Sequence, residues 1–80
     1  MVTLRPQIVA ELRQHGIEPA PGEGTARLRE RLNDAYVEDV RRLRERQRSG
    51  AIPRREYAGH VVALRDRYPA LGLPLELWEE

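Results

Sequence analysis

Little in this chain is equipped for covalent chemistry. Apart from three tyrosines, its hydroxyl side chains are Thr3, Thr25 and Ser49, each at a position that reads as a helix cap or a turn. The two histidines are His15 and His60, and neither has a second His, Cys or Asp at ligand spacing. His15 falls at the end of an expected helix, where an imidazolium suits the macrodipole. Glu56 and His60, four residues apart, read as an ordinary surface pair. Cysteine is absent, which excludes disulfides, thiolate metal sites and thiol nucleophiles. The expectation is a protein that is not an enzyme and holds no cofactor or metal.

Arginine is the residue type that could do something here. All 14 basic residues are arginine, and the net charge is only +1. Seven of them (Arg41, Arg42, Arg44, Arg46, Arg48, Arg54 and Arg55) gather within one stretch that holds Glu45 as its single acid. The rest of the chain is net negative. A polarised charge distribution of this kind draws phosphates or acidic partners even when net charge is near zero. Arg44, Arg46 and Arg48 lie in the last turns of an expected helix, where cations are favoured without any function. Arg54 and Arg55 differ. They follow Pro53 in the first turn of the next helix, where the dipole opposes them, and a broken local rule marks a place to look for function. Arg41, Arg44, Arg48, Arg54 and Arg55 are therefore the leading candidates for contacts to nucleic-acid phosphates, without base readout.

The elements that must carry these residues follow from apolar spacing. Leu4, Ile8 and Leu12 recur every four residues, with Thr3 as N-cap, Pro6 in the first turn and Gly16 as a left-handed cap. Residues 18–24 are a Pro- and Gly-rich loop. Leu28, Leu32, Tyr36, Val40 and Leu43 then define one uninterrupted helix that ends at Ser49-Gly50, its stripe widened by Ala35 and Val37. Tyr57, Val61, Leu64 and Tyr68 form a third stripe, opened by Pro53 and stopped by Pro69. The predicted fold is all-α, with three main helices at about 4–15, 26–48 and 54–67 and a C-terminal strap. One domain spans 1–80, comprising a helix–loop–helix (4–32), a helical hairpin (33–70) and a tail (71–80). The alternating leucines at 71, 73, 75 and 77 and Trp78 are expected to pack on the helices, with a helical turn near Pro74–Trp78.

The stretch from Leu4 to Leu32 resembles the SAP motif, a helix–extended loop–helix module, and its HeH and Rho N-terminal relatives. Ile8, Glu11 and Leu12 occupy the first-helix positions. Gly16-Ile17 stands for the Gly-Leu of the pattern, Gly24-Thr25 for the loop glycine and cap, and Leu28-Arg29-Glu30-Arg31-Leu32 for the second-helix signature. The loop is about two residues longer than usual, and Ala26 stands where members often carry a base, with Glu18 and Glu23 nearby. The resemblance implies a nucleic-acid-binding face, DNA ahead of RNA, formed by Arg5, Arg13, Thr25, Arg27 and Arg31.

Size and composition bound the remaining possibilities. A chain of 80 residues without phenylalanine has a thin core, built mainly from Leu, Val and Ile. No run approaches the roughly 20 apolar residues of a membrane span. The first residues lack the pattern of a signal peptide, so a cytoplasmic location is expected. The overall expectation is a small nucleic-acid-binding accessory module. The alternative is a protein–protein adapter or a homodimeric helical module, whose antiparallel pairing would cover Val37, Val40 and Tyr68.

Overall fold

Helix α1 (Pro6–Gln14) begins at a proline whose fixed φ suits a first helical position. The computed structural model describes residues 3–80. Arg5, not Thr3, is the residue before the helix, and it supplies no side-chain cap. Thr3 has a different role, since its carbonyl accepts the Glu80 N–H at 2.9 Å. Gly16 closes α1 at φ +77°, where a side chain would be strained. Ile17 N–H donates to Leu12 O at 2.8 Å and Gly16 N–H to Arg13 O at 3.0 Å, the paired bonds of a Schellman cap. That cap delivers Ile17 into the core beside Leu12.

Helix α2 (Thr25–Arg48) is unbroken over 24 residues, or about 36 Å at 1.5 Å per residue. Gly24 precedes it and no side chain caps it, so Thr25 is its first residue and not a cap. Ser49 and Gly50 end it, with Gly50 at φ +85°. The third helix is shorter than its apolar stripe suggests. Arg54–Glu56 form a 3-10 turn, and α3 proper is Tyr57–Arg65. Pro53 precedes this turn in an extended conformation with φ −59° and ψ 142°.

The core lies at one end of the molecule. Ile8, Leu12, Ile17, Leu28, Leu32, Tyr68, Ala70 and Trp78 form a single buried cluster, ringed by Leu4, Tyr36, Leu64, Leu71, Leu73 and Leu75. Trp78, Leu12 and Leu32 are 0% exposed. The tail reaches this cluster through two 3-10 turns, Pro69–Gly72 and Leu75–Trp78, so it is a folded strap. Trp78 Nε1–H donates to Ala70 O at 3.1 Å, which satisfies the polar edge of a buried indole. Leu77 departs from the expected leucine packing and is 40% exposed.

The strap also closes against the N-terminal segment. Leu4 and Glu79 form an isolated antiparallel bridge, with Arg5 N–H donating to Trp78 O at 2.9 Å. Arg5 Nε adds a bond to Glu79 O at 2.9 Å, and Arg29 holds Leu71 O at 3.0 Å. The two ends of the chain thus lock one another. The opposite end of the molecule is the α2–α3 hairpin, in which only Leu43 and Ile52 are buried beyond the main cluster. The protein is an elongated rod of 47 × 18 × 16 Å with a radius of gyration of 14.6 Å. A compact chain of this length would have a radius of about 12 Å.

Candidate nucleic-acid interface

The candidate arginines divide between the two ends of this rod. Arg41, Arg44 and Arg48 are carried by the last two turns of α2, and Arg54 and Arg55 by the 3-10 turn across the connection. The connection is held together locally. Ile52 N–H donates to Arg46 O at 3.2 Å, and Ser49 Oγ to the same carbonyl at 3.0 Å. Burial of Ile52 beside this turn anchors the start of the segment that presents Arg54 and Arg55. The hairpin end therefore gathers five candidate arginines contributed by two elements.

Their electrostatic surroundings are uneven. Arg41 pairs with Glu38 at 3.3 Å and Arg48 with Glu45 at 3.5 Å, one helical turn back in each case. These side chains are exposed, and such pairs hold an arginine loosely. Among the described residues, no carboxylate lies within 4.0 Å of Arg44, Arg46, Arg54 or Arg55. Positive charge at the hairpin end is thus mostly uncompensated.

The residues singled out by the SAP resemblance have different surroundings. Arg13 makes two bonds of 3.1 Å to Glu18. Arg31 meets both oxygens of Glu23 at 2.8 and 3.0 Å, and Arg27 meets Glu30 at 3.2 Å. Arg5 is drawn to the strap by its bond to Glu79 O. Glu23 is further tied by the Ala20 N–H at 2.9 Å; that bond first, and Arg31 with it, holds its carboxyl below the usual range. The acids of the long loop neutralise the arginines beside them. Thr25 sits at the N-terminus of α2 with no side-chain cap, near Arg27 but remote in sequence from the hairpin end.

Two side chains whose polar partners the apolar pattern does not show organise the middle of the molecule. Tyr68 is buried, its hydroxyl donates to Asp39, and its ring stacks on His15 with centroids 3.8 Å apart. Tyr36 meets the same ring edge-on at 5.3 Å. Burial, reinforced by the Asp39 carboxylate, raises the Tyr68 hydroxyl well above its ordinary pKa. Because Tyr68 is already covered, it offers no surface to the second subunit that the sequence invited. His15 Nε2–H donates to Arg67 O at 2.7 Å, joining the end of α1 to the end of α3.

Glu11 is the second such group, a buried acid on the stripe of Ile8 and Leu12. Both its oxygens accept the Ala70 N–H at 3.1 Å. Desolvation pushes its pKa up, opposed by that hydrogen bond and by His15. The sequence signal was an acid in register with an apolar stripe. Its partner could not be read, because Ala70 lies 59 residues away. Glu56 and His60 are both exposed and form no ion pair among the described residues.

No helix among the described residues is long and apolar enough to cross a membrane. Comparisons with known protein families, with curated proteins and with solved structures found no match for this chain.

Proposed function

We infer that this protein is a small nucleic-acid-binding module that contacts phosphates through the hairpin end of α2 and α3. The observation that carries this reading is the asymmetry of arginine pairing. At the packed end Arg5, Arg13, Arg27 and Arg31 face carboxylates or backbone carbonyls within the molecule. At the hairpin end Arg44, Arg54 and Arg55 face solvent without an acid partner, while Arg41 and Arg48 have exposed ones, as Arg13 and Arg27 do at the packed end. Guanidinium groups gathered without carboxylates repel one another, and phosphates relieve that repulsion while releasing counterions. Such contacts position a protein on a nucleic-acid backbone and carry no sequence information.

The SAP-like helix–loop–helix has a place in this proposal as the folded base of the rod, with DNA the leading ligand. Its loop acids weaken it as the main binding face, so the hairpin arginines lead. An adapter or homodimer reading retains one specific support, the exposure of Val37 (47%) and Val62 (56%) on the hairpin helices. Retention of mixed DNA and RNA at low and at high salt separates the two. Phosphate binding falls log-linearly with salt, whereas burial of valines does not. Failure to retain any nucleic acid at low salt would leave the adapter reading standing.

A further inference from the structure

A groove of about 370 Å³ runs between α2 and α3, lined by Asp39, Arg42, Leu43, Arg46, His60, Ala63, Leu64 and Arg67. Arg42 and Arg46 are four residues apart and share one face of α2. His60, Ala63 and Arg67 recur at intervals of three and four along α3 and the turn that follows it, so they line the facing wall. Sequence spacing within each helix is local, but only the pairing of the two helices brings Arg67 opposite Arg42. Leu43 and Leu64 supply an apolar floor, one buried and the other partly so.

The charge in this groove is not balanced from within. Asp39 is the one carboxylate on its wall. Its Oδ2 accepts the Tyr68 hydroxyl, while its Oδ1 lies 3.8 Å from Arg42. Arg42 otherwise reaches only Glu38, at 3.9 Å. Among the described residues Arg46, His60 and Arg67 have no acid within 4.0 Å. The wall that carries Arg67 is held in place, because its carbonyl is bonded by His15 and the next residue is the buried Tyr68.

We propose that this groove seats a phosphate group between Arg42, Arg46 and Arg67, with His60 as a further donor. A carboxylate would answer one of these guanidinium groups. A phosphate group presents several acceptor oxygens and up to about two negative charges, and arginine forks can grip it from more than one side. The source is a phosphate of a nucleic-acid strand or a free phosphate compound. The first rests on the function proposed above, and the second does not.

Histidine supplies the readout. The imidazole signals of His60 are followed by NMR during titration with inorganic pyrophosphate, and separately with a 5′-phosphorylated oligonucleotide. The indole N–H of Trp78 reports that the fold is intact. The proposal expects a saturable His60 shift with pyrophosphate. R67E and R46E should each weaken it by about tenfold or more, the scale of a single charge-assisted hydrogen bond. R65E makes the same charge change two residues before Arg67, but Arg65 lines a different hollow with Asn33, Tyr36 and Tyr68; it should leave the shift in place. The neutral variants R46Q and R67Q repeat the test should a reversed charge disturb the Trp78 signal.

If the oligonucleotide also shifts His60 and R67E weakens that shift, the ligand is a strand phosphate. If pyrophosphate binds and the oligonucleotide does not, the groove stands as a site for a free phosphate compound and the nucleic-acid reading falls. If the oligonucleotide binds but R46E and R67E bind it and pyrophosphate as the wild type does, the nucleic-acid reading survives and the groove is overturned. A polyglutamate peptide that shifts His60 as strongly as pyrophosphate also overturns the assignment to phosphate.

Discussion

The packed end and the hairpin end of this rod are built on opposite terms. At the packed end, residues distant in sequence meet: Leu12, Leu32 and Trp78 lose all solvent exposure, and residues 3–5 pair with 78–80. Even the polar groups there are answered, with Glu11 on Ala70 and Trp78 on its carbonyl. At the hairpin end Leu43 and Ile52 are the buried residues, α3 buries none of its side chains fully, and arginines stand with few partners. Cohesion is concentrated in one half and unpaired positive charge in the other. A small domain gains from this division, because the half that stabilises the fold need not tolerate the repulsion among clustered arginines.

The largest effect should come from the strap. Removing residues 71–80 takes away Trp78, Leu71, Leu73 and Leu75 together, and thermal melting should show a large loss or no cooperative transition. A truncation that melts like the full chain would erase the comparison. Trp78→Ala alone should cost about 3–5 kcal/mol through lost burial and an unfilled cavity. Leu32→Ala should cost about 2–5 kcal/mol by denaturant unfolding, with Leu43→Ala at or below the lower end of that range. Equal costs at Leu32 and Leu43 would show that the hairpin end is as firmly packed as the base.

Glu11 sharpens the comparison by pH. Burial raises its pKa in the folded state above the ordinary 4.5, so the fold binds this proton more tightly than the unfolded chain does. The resulting stability is present below the unfolded pKa and is lost as pH rises through the folded value. Glu11→Gln removes that titration and keeps an acceptor for the Ala70 N–H. Its stability relative to the wild type should therefore improve on going from acidic to neutral pH. Glu11→Ala leaves that N–H without a partner, at a cost of about 1–3 kcal/mol. A wild type and E11Q pair with the same pH profile would show that Glu11 is not effectively desolvated.

The helices are legible because each is specified by residues close to one another. The stripe Leu28–Leu32–Tyr36 and the glycines at 16 and 50 are local signals, and α2 occupies nearly the span they indicate. What escapes a reading of the sequence is set by distance. The bridge between Leu4 and Glu79 joins opposite ends of the chain, and its single-residue extent leaves no strand pattern to find. The role of Thr3 is hidden for the same reason, since a hydroxyl residue before an apolar run looks like a cap whatever its carbonyl does. The arginine cluster is visible as composition. Which arginines of the packed end are paired depends on where Glu18 and Glu23 lie across the loop, and the groove of Arg42, Arg46 and Arg67 on the register of two helices.

The smallest stability effect should fall at the hairpin turn. Acids suit the start of a helix better than bases do, so R54E/R55E should melt unchanged or be stabilised by up to about 1 kcal/mol. A destabilised double variant would mean that these arginines serve the fold after all.

The same variant gives the most direct test of phosphate binding by the hairpin end. Affinity for a fluorescent oligonucleotide is measured over a range of salt concentrations, for the wild type and for R54E/R55E. The wild type should give a straight line of log affinity against log salt. The double variant should bind more weakly, with a slope shallower by about one unit for each phosphate it no longer holds. No wild-type binding at low salt, or a variant with unchanged affinity and slope, would contradict the claim that Arg54 and Arg55 hold phosphates.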